Sequence, residues 1–281
     1  MTRPIAATPA SVRAADSRAG RRDLTIAAVT AVGLSRLLDG DALWLVAILV
    51  LAAMLVGALQ VLAEDDPAAE TSGVPIESVI LPAVATIGCL GVIQLVPFGL
   101  GLVPALVLTA LLVLRTLTVE GRILAARTGA GPDDRTAVLV LTLIIGFLGF
   151  TGVAAVVPGG LSTGLGSGLA GPSLALLAAA DAVIAFLLGY RTAALRVTSL
   201  RDALWSAATY AGAIAIGAAA VRAMEIPRLV GPALLVLAFY LWDAFHGAPA
   251  ARRRDIRWLW QTVLLAVLGL IVLAWNWQIR G

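Results

Sequence analysis

Apolar residues arrive in this chain in runs of about twenty, and no other feature restricts the fold as much. The clearest run lies near the C-terminus. Arg252, Arg253, Arg254 and Arg257 sit on one side of it, Trp258 and Trp260 open it, and Trp275 and Trp277 close it. A helix rises about 1.5 Å per residue, so the outer tryptophans stand roughly 28 Å apart, close to the hydrocarbon thickness of a bilayer. Indole rings prefer the headgroup level and arginines gather on the cytoplasmic side. One segment therefore predicts a membrane, a crossing and a direction.

Composition agrees. Hydrophobic residues make up 60% of the chain and charged residues 13%, where a soluble domain carries about 25% charged. Mean hydropathy is +0.97. Most of the surface must face lipid or other helices. All twenty basic residues are arginine. A pI near 9.7 would suggest nucleic acid in a soluble protein. Here the arginines fall between apolar runs, so they report topology, and no nucleic-acid partner is expected. The single Cys89 lies inside an apolar run, which excludes an intramolecular disulfide and a cysteine-based zinc site.

Residues 1–23 are polar, with Arg3, Arg13, Arg18, Arg21 and Arg22 among Ala, Ser and Pro. They read as a disordered basic cytoplasmic tail. No small-residue cleavage site follows the run Leu24–Ser35, so this end reads as an uncleaved anchor rather than a signal peptide. Residues 24–281 then form a single transmembrane helical domain. Its spans are predicted at about 24–38, 43–62, 78–97, 102–121, 136–157, 172–190, 203–221, 229–246 and 258–277. The fold class is an all-α polytopic bundle of about nine spans. Turns are expected at Asp39-Gly40-Asp41 and at Gly99–Gly101, inside a break bounded by Pro97 and Pro104. The loop 63–77 is acidic, and residues 158–172 form an uncharged Gly-rich connector.

Arginine placement tests this topology. With the N-terminus inside, Arg3, Arg13, Arg18, Arg21, Arg22, Arg115, Arg122, Arg127, Arg135, Arg191, Arg196, Arg201, Arg252, Arg253, Arg254 and Arg257 fall on the cytoplasmic side. Only Arg36, Arg222, Arg228 and Arg280 fall outside. An alternative of eight spans lays 24–38 in the interface and moves the five N-terminal arginines to the wrong side. The expected location is the inner (cell) membrane, multi-pass.

Few residues could carry chemistry. Asp181 lies near the middle of span six, where an ionisable group is costly and functional by default. It borders a small-residue stripe of Ala175, Ala178, Ala182, Ala185 and Gly189, so helix packing explains it as well. Arg115 in span four could reach it by depth. A second small-residue set, Ala207, Ala211, Ala215 and Ala219 with Gly212 and Gly217, marks span seven for close packing. Tyr240, Asp243 and His246 recur every three residues in span eight, which places them on one helical face at the cytoplasmic headgroup level. They read as an interfacial polar cluster. Asp243 and His246 would supply two metal ligands where a site needs more, so no metal or other cofactor is expected. Gly160-Leu-Ser-Thr-Gly164 matches the pattern of a nucleophile elbow. That mechanism needs a strand–turn–helix context and a histidine in reach, and His246 is expected across the membrane. No phosphate-binding loop, dinucleotide fingerprint or zincin motif is present.

Three functional classes remain. A non-enzymatic subunit or assembly partner of a membrane complex fits the scarcity of buried polar groups. A small-solute or proton-coupled transporter or channel fits Asp181 and expects a polar cavity around it. A lipid-modifying membrane enzyme would use the Tyr240–Asp243–His246 face. The expected partners are the lipid bilayer and other membrane proteins, and the first class ranks highest.

Overall fold

The computed structural model describes residues 10–65, 73–126, 131–157, 171–223, 229–247 and 256–278. Nine helices make up the described chain: α1 (Ala10–Ser35), α2 (Gly40–Asp65), α3 (Glu77–Ile93), α4 (Leu102–Ala125), α5 (Pro132–Val156), α6 (Gly171–Ala194), α7 (Leu200–Ala223), α8 (Val230–Gly247) and α9 (Ile256–Gln278). No strand occurs among the described residues. By length and composition α2, α4, α5, α6, α7 and α8 can cross a membrane. Residues Glu77–Ile93 of α3 and Ile256–Val272 of α9 are shorter apolar helices. The protein is an all-helical, polytopic membrane bundle.

The breaks fall at residues whose backbone demands them. Gly40 and Gly99 have φ of +57° and +130°, conformations that strain any residue with a Cβ. Pro132 stands in the first turn of α5 followed by Asp133 and Asp134. Proline is tolerated where no N–H partner exists, and acids favour the positive end of the helix.

One expectation changes at the N-terminus. Residues 10–23, read above as part of a disordered tail, belong to α1. The run is rich in alanine and arginine, both good helix formers, and it continues into an apolar half that is anchored. Ala28, Val32 and Ser35 are buried, and α1 packs on α2, α3 and α4.

Successive helices run in opposite directions. Gly20 of α1 faces Val61 and Glu64 near the end of α2, and Gly33 faces Leu106 near the start of α4. Gly149 and Gly146 of α5 face Ile184 and Leu188 of α6, in reverse order. Gly217 and Val221 of α7 meet Leu235 and Gly231 of α8. The bundle thus has one end that gathers the C-termini of α2, α4, α6 and α8, here called the Arg191 end. The opposite end holds Arg36.

Two cores result. Helices α1–α4 enclose Met54, Leu62, Leu90, Ile93, Val113 and Leu117. Helices α5–α8, with parts of α3 and α4, enclose Ile145, Phe150, Leu188, Tyr210, Ile214 and Phe239. The seam is α3 against α5, which run parallel with backbones in contact. A Cβ on Gly152 would stand 2.8 Å from the Gly88 carbonyl oxygen, and one on Gly88 would stand 3.0 Å from the Gly149 nitrogen. No side chain fits there. Close helix approach was expected in spans six and seven. Helices α6 and α7 do pack together most extensively, but the glycine-to-glycine contact lies at α3–α5. Within α7 the buried stripe is Ala203, Ala207, Tyr210, Ile214 and Ala218, whereas Gly212 has open space beside it.

Candidate functional site

The ion pairs among the described residues are gathered at the Arg191 end. Glu120 lies in the last turns of α4 and Arg191 in the last turn of α6. Arg191 Nε donates to Glu120 Oε1 at 2.8 Å and Nη2 to Oε2 at 2.5 Å. Both side chains are almost fully buried, at 3% and 1% exposure. A planar guanidinium matches both carboxylate oxygens, which fixes geometry as well as charge. Glu77, in the first turn of α3, is within electrostatic reach of Glu120 and Tyr190.

A second cluster is one turn away. Arg196 follows α6, and its Nη2 donates to Asp243 Oδ1 and Oδ2 at 2.8 and 2.6 Å. The Tyr210 hydroxyl of α7 donates to Asp243 Oδ1 at 2.6 Å. The Tyr210 ring lies over Gly189, where a Cβ would come within 2.8 Å of it, and its centroid is 4.9 Å from that of Phe239. Trp242 Nε1 donates to Thr209 Oγ1 at 3.2 Å. These contacts tie α4 to α6, and the α6–α7 connection to α8, at one level. Every carboxylate oxygen named here accepts a hydrogen bond. The layer is a clasp whose groups satisfy one another.

The polar residues singled out in the sequence end up in different places. Asp243 is buried and takes its tyrosine from α7, not from Tyr240 on its own helix. Tyr240 is half-buried. His246 is exposed, stacks on Trp242 with a centroid distance of 4.2 Å, and its Nδ1 lies 3.1 Å from the Trp242 carbonyl. A spacing of three turns the helix by 300°, so the face drifts and Asp243 points inward while His246 points out. The Gly160–Gly164 motif and Arg252–Arg254 lie outside the described residues.

Asp181 is 2% exposed and its Oδ1 has no hydrogen-bond partner among the described residues. Arg115 is exposed and forms no ion pair with it. On α5, Thr142 and Thr151 also have buried hydroxyls with no hydrogen-bond partner among the described residues. Because Gly149 opposes Ile184, Thr151 and Asp181 lie at about the same depth. No group of three metal-ligating side chains occurs among the described residues.

Glu120, Arg191, Arg196 and Tyr210 were not singled out in the sequence as a site. A signal existed: Glu120 and Arg191 are opposite charges in the final turns of two spans that end on the same side. Equal depth made them possible partners, but contact between α4 and α6 is a tertiary fact. No protein-family model, curated protein or solved structure matches this chain.

Proposed function

We propose that this protein is a non-enzymatic subunit or assembly partner of a membrane complex, seated in the inner membrane with its Arg191 end toward the cytoplasm. The observation that carries this reading is α9. It joins the bundle along one stripe, where Gly269 sits against Leu237 and Leu234 of α8. Trp260, Leu264, Leu268, Ile271 and Trp275 are exposed. A helix this lightly attached offers another membrane-spanning helix a full apolar face, with aromatic residues to set its depth. The clasp at the Arg191 end supports the same reading, since its ionisable groups hold helices together. The orientation rests on arginine counts. Arg18, Arg21, Arg22, Arg122, Arg135, Arg191, Arg196, Arg201 and Arg257 all lie toward the Arg191 end, and Arg36 toward the other.

The test is purification from native membranes in mild detergent, followed by mass spectrometry. A membrane protein should accompany the full chain in fixed stoichiometry. It should be lost when Leu264, Leu268 and Ile271 are changed together to alanine. A chain that is always recovered without a protein companion would sink the reading.

A second reading, proton-coupled transport through Asp181, has one observation in its favour. A carboxyl oxygen without a partner, buried at mid-span beside a hydroxyl-bearing helix, is costly and calls for an explanation. Its test is proton flux into proteoliposomes holding a pH-sensitive dye. Flux equal to that of protein-free vesicles would remove it, as would an unchanged flux in Asp181→Asn.

A further inference from the structure

Helices α4 and α5 are consecutive, yet each packs far more closely on α3 than on the other. They splay apart and leave a crevice of about 450 Å³ between them. Its floor is α3, at Cys89, and its walls include Leu108 of α4 and Ile144 of α5. Leu108 and Ile144 are exposed, so the crevice opens sideways, into the bilayer. It begins at Val96 and Ala105, near the Arg36 end, and reaches Arg115 near the middle of α4. It therefore crosses the midplane.

Arg115 brings a charge into a lining that is otherwise almost wholly apolar. It is exposed and has no hydrogen bond or ion pair among the described residues. The acids nearest to it along the chain are taken, Glu120 by Arg191 and Asp134 by Arg122. Guanidinium does not deprotonate in proteins, so the charge is permanent and lacks a counter-ion from the bundle. Arg115 lies about 10 Å of helix deeper than Arg122, which pairs with Asp134 where α4 passes into α5. A lone charge facing the bilayer at that depth is costly, and such groups pair with an opposite charge.

Path and charge together select the occupant. A lipid carries its charge at the membrane surface, and its chains cover one leaflet. This crevice extends past the midplane and holds its charge inside the span. A membrane-spanning helix meets both conditions, since it runs the full depth and can carry a carboxylate at any level. Its shape also suits the site, because the ridges of one helix pack into the grooves of others. The protein already joins α4 to α6 by this chemistry, through Glu120 and Arg191. We propose that the crevice seats a transmembrane helix of a partner protein, whose aspartate or glutamate pairs with Arg115. The fork of the guanidinium donates to both carboxylate oxygens at once, and a polar pair between helices in lipid sets their register. The contact rests on the membrane complex proposed above and is separate from the one at α9.

The test places a photoreactive benzophenone side chain at Leu108, at the crevice mouth, in the full chain in native membranes. Illumination should join it to a membrane-spanning segment of another protein. Mass spectrometry of the joined peptide should find an aspartate or glutamate in that segment. Arg115→Gln should lower the yield of this adduct at least tenfold, and Arg115→Lys should keep most of it. Arg201→Gln, at the start of α7 and outside the crevice, should leave it unchanged. Arg115→Glu should abolish the adduct, and arginine in place of the partner's acid should restore it. Arg115 bonds nothing in the bundle, so Arg115→Gln should elute and melt like the parent protein. Adducts with lipid alone would overturn the proposal. So would an undiminished yield in Arg115→Gln, or a joined segment that lacks an acid or belongs to a second copy of this chain. Any of these results with the α9 companion still recovered removes the crevice contact alone. A chain that also purifies without a companion removes the complex with it.

Discussion

Glu120 and Arg191 show how a buried ion pair acts at the scale of one residue. Both charges leave water, and their mutual attraction only roughly offsets that cost. The pair therefore adds little net stability, but each half depends on the other. Changing Arg191 to leucine leaves the Glu120 carboxylate buried among apolar groups, at a cost of about 3–5 kcal/mol. The double change, Glu120→Leu with Arg191→Leu, should recover most of that loss. Thermal unfolding in detergent checks this, and a double variant as unstable as the single one would contradict it. Tyr210→Phe keeps the ring over Gly189 and removes one bond to Asp243. Asp243 retains Arg196, so the cost should be smaller, about 1–3 kcal/mol. Equal losses in Tyr210→Phe and Arg191→Leu would show that the two clusters act as one unit.

Among elements, the α3–α5 seam is the most demanding contact. Its glycines recur three apart, as Gly88 and Gly91 on one helix and Gly149 and Gly152 on the other. That pattern is visible in the sequence, but so are the alanine sets of spans six and seven. Small residues permit close approach without stating which helix will approach. The sequence reading marked Ala207, Ala211, Ala215 and Ala219 with Gly212 and Gly217 on α7. Ala207 does lie on the packed face, but that face is completed by Tyr210 and Ile214, and Gly212 has open space beside it. Gly91→Ala places a methyl group against the backbone of Gly152. Neither backbone can yield without separating the helices, so the loss should be at least the 1–3 kcal/mol or so of ordinary overpacking. Gly212→Ala meets nothing within 4 Å and should be tolerated. Folded yield and melting temperature of the two variants, measured side by side, decide the point.

For the whole molecule, the alternation of helix direction fixes which loops share a side. A reporter fused near residue 20 should read cytoplasmic, as should one in the loop after Ala194, while one in the loop after Ser35 should read external. An extracytoplasmic signal at residue 20 together with a cytoplasmic one after Ser35 would invert the orientation proposed here. Apart from the first half of α1, the helix positions were legible from the sequence alone, as was the polytopic class. In lipid each helix satisfies its own backbone, so length, hydropathy and glycine or proline breaks act locally and leave a local record. Asp181, Arg115, Tyr240, Asp243 and His246 were likewise visible as unusual residues. Their partners were not. Whether Asp243 meets Tyr240 or Tyr210, whether Arg115 meets Asp181 or lines a crevice, and which glycines touch all depend on which helices lie side by side. In a bundle whose faces are nearly all apolar, that choice is made by the shapes of surfaces far apart in the chain, and only the tertiary structure records it.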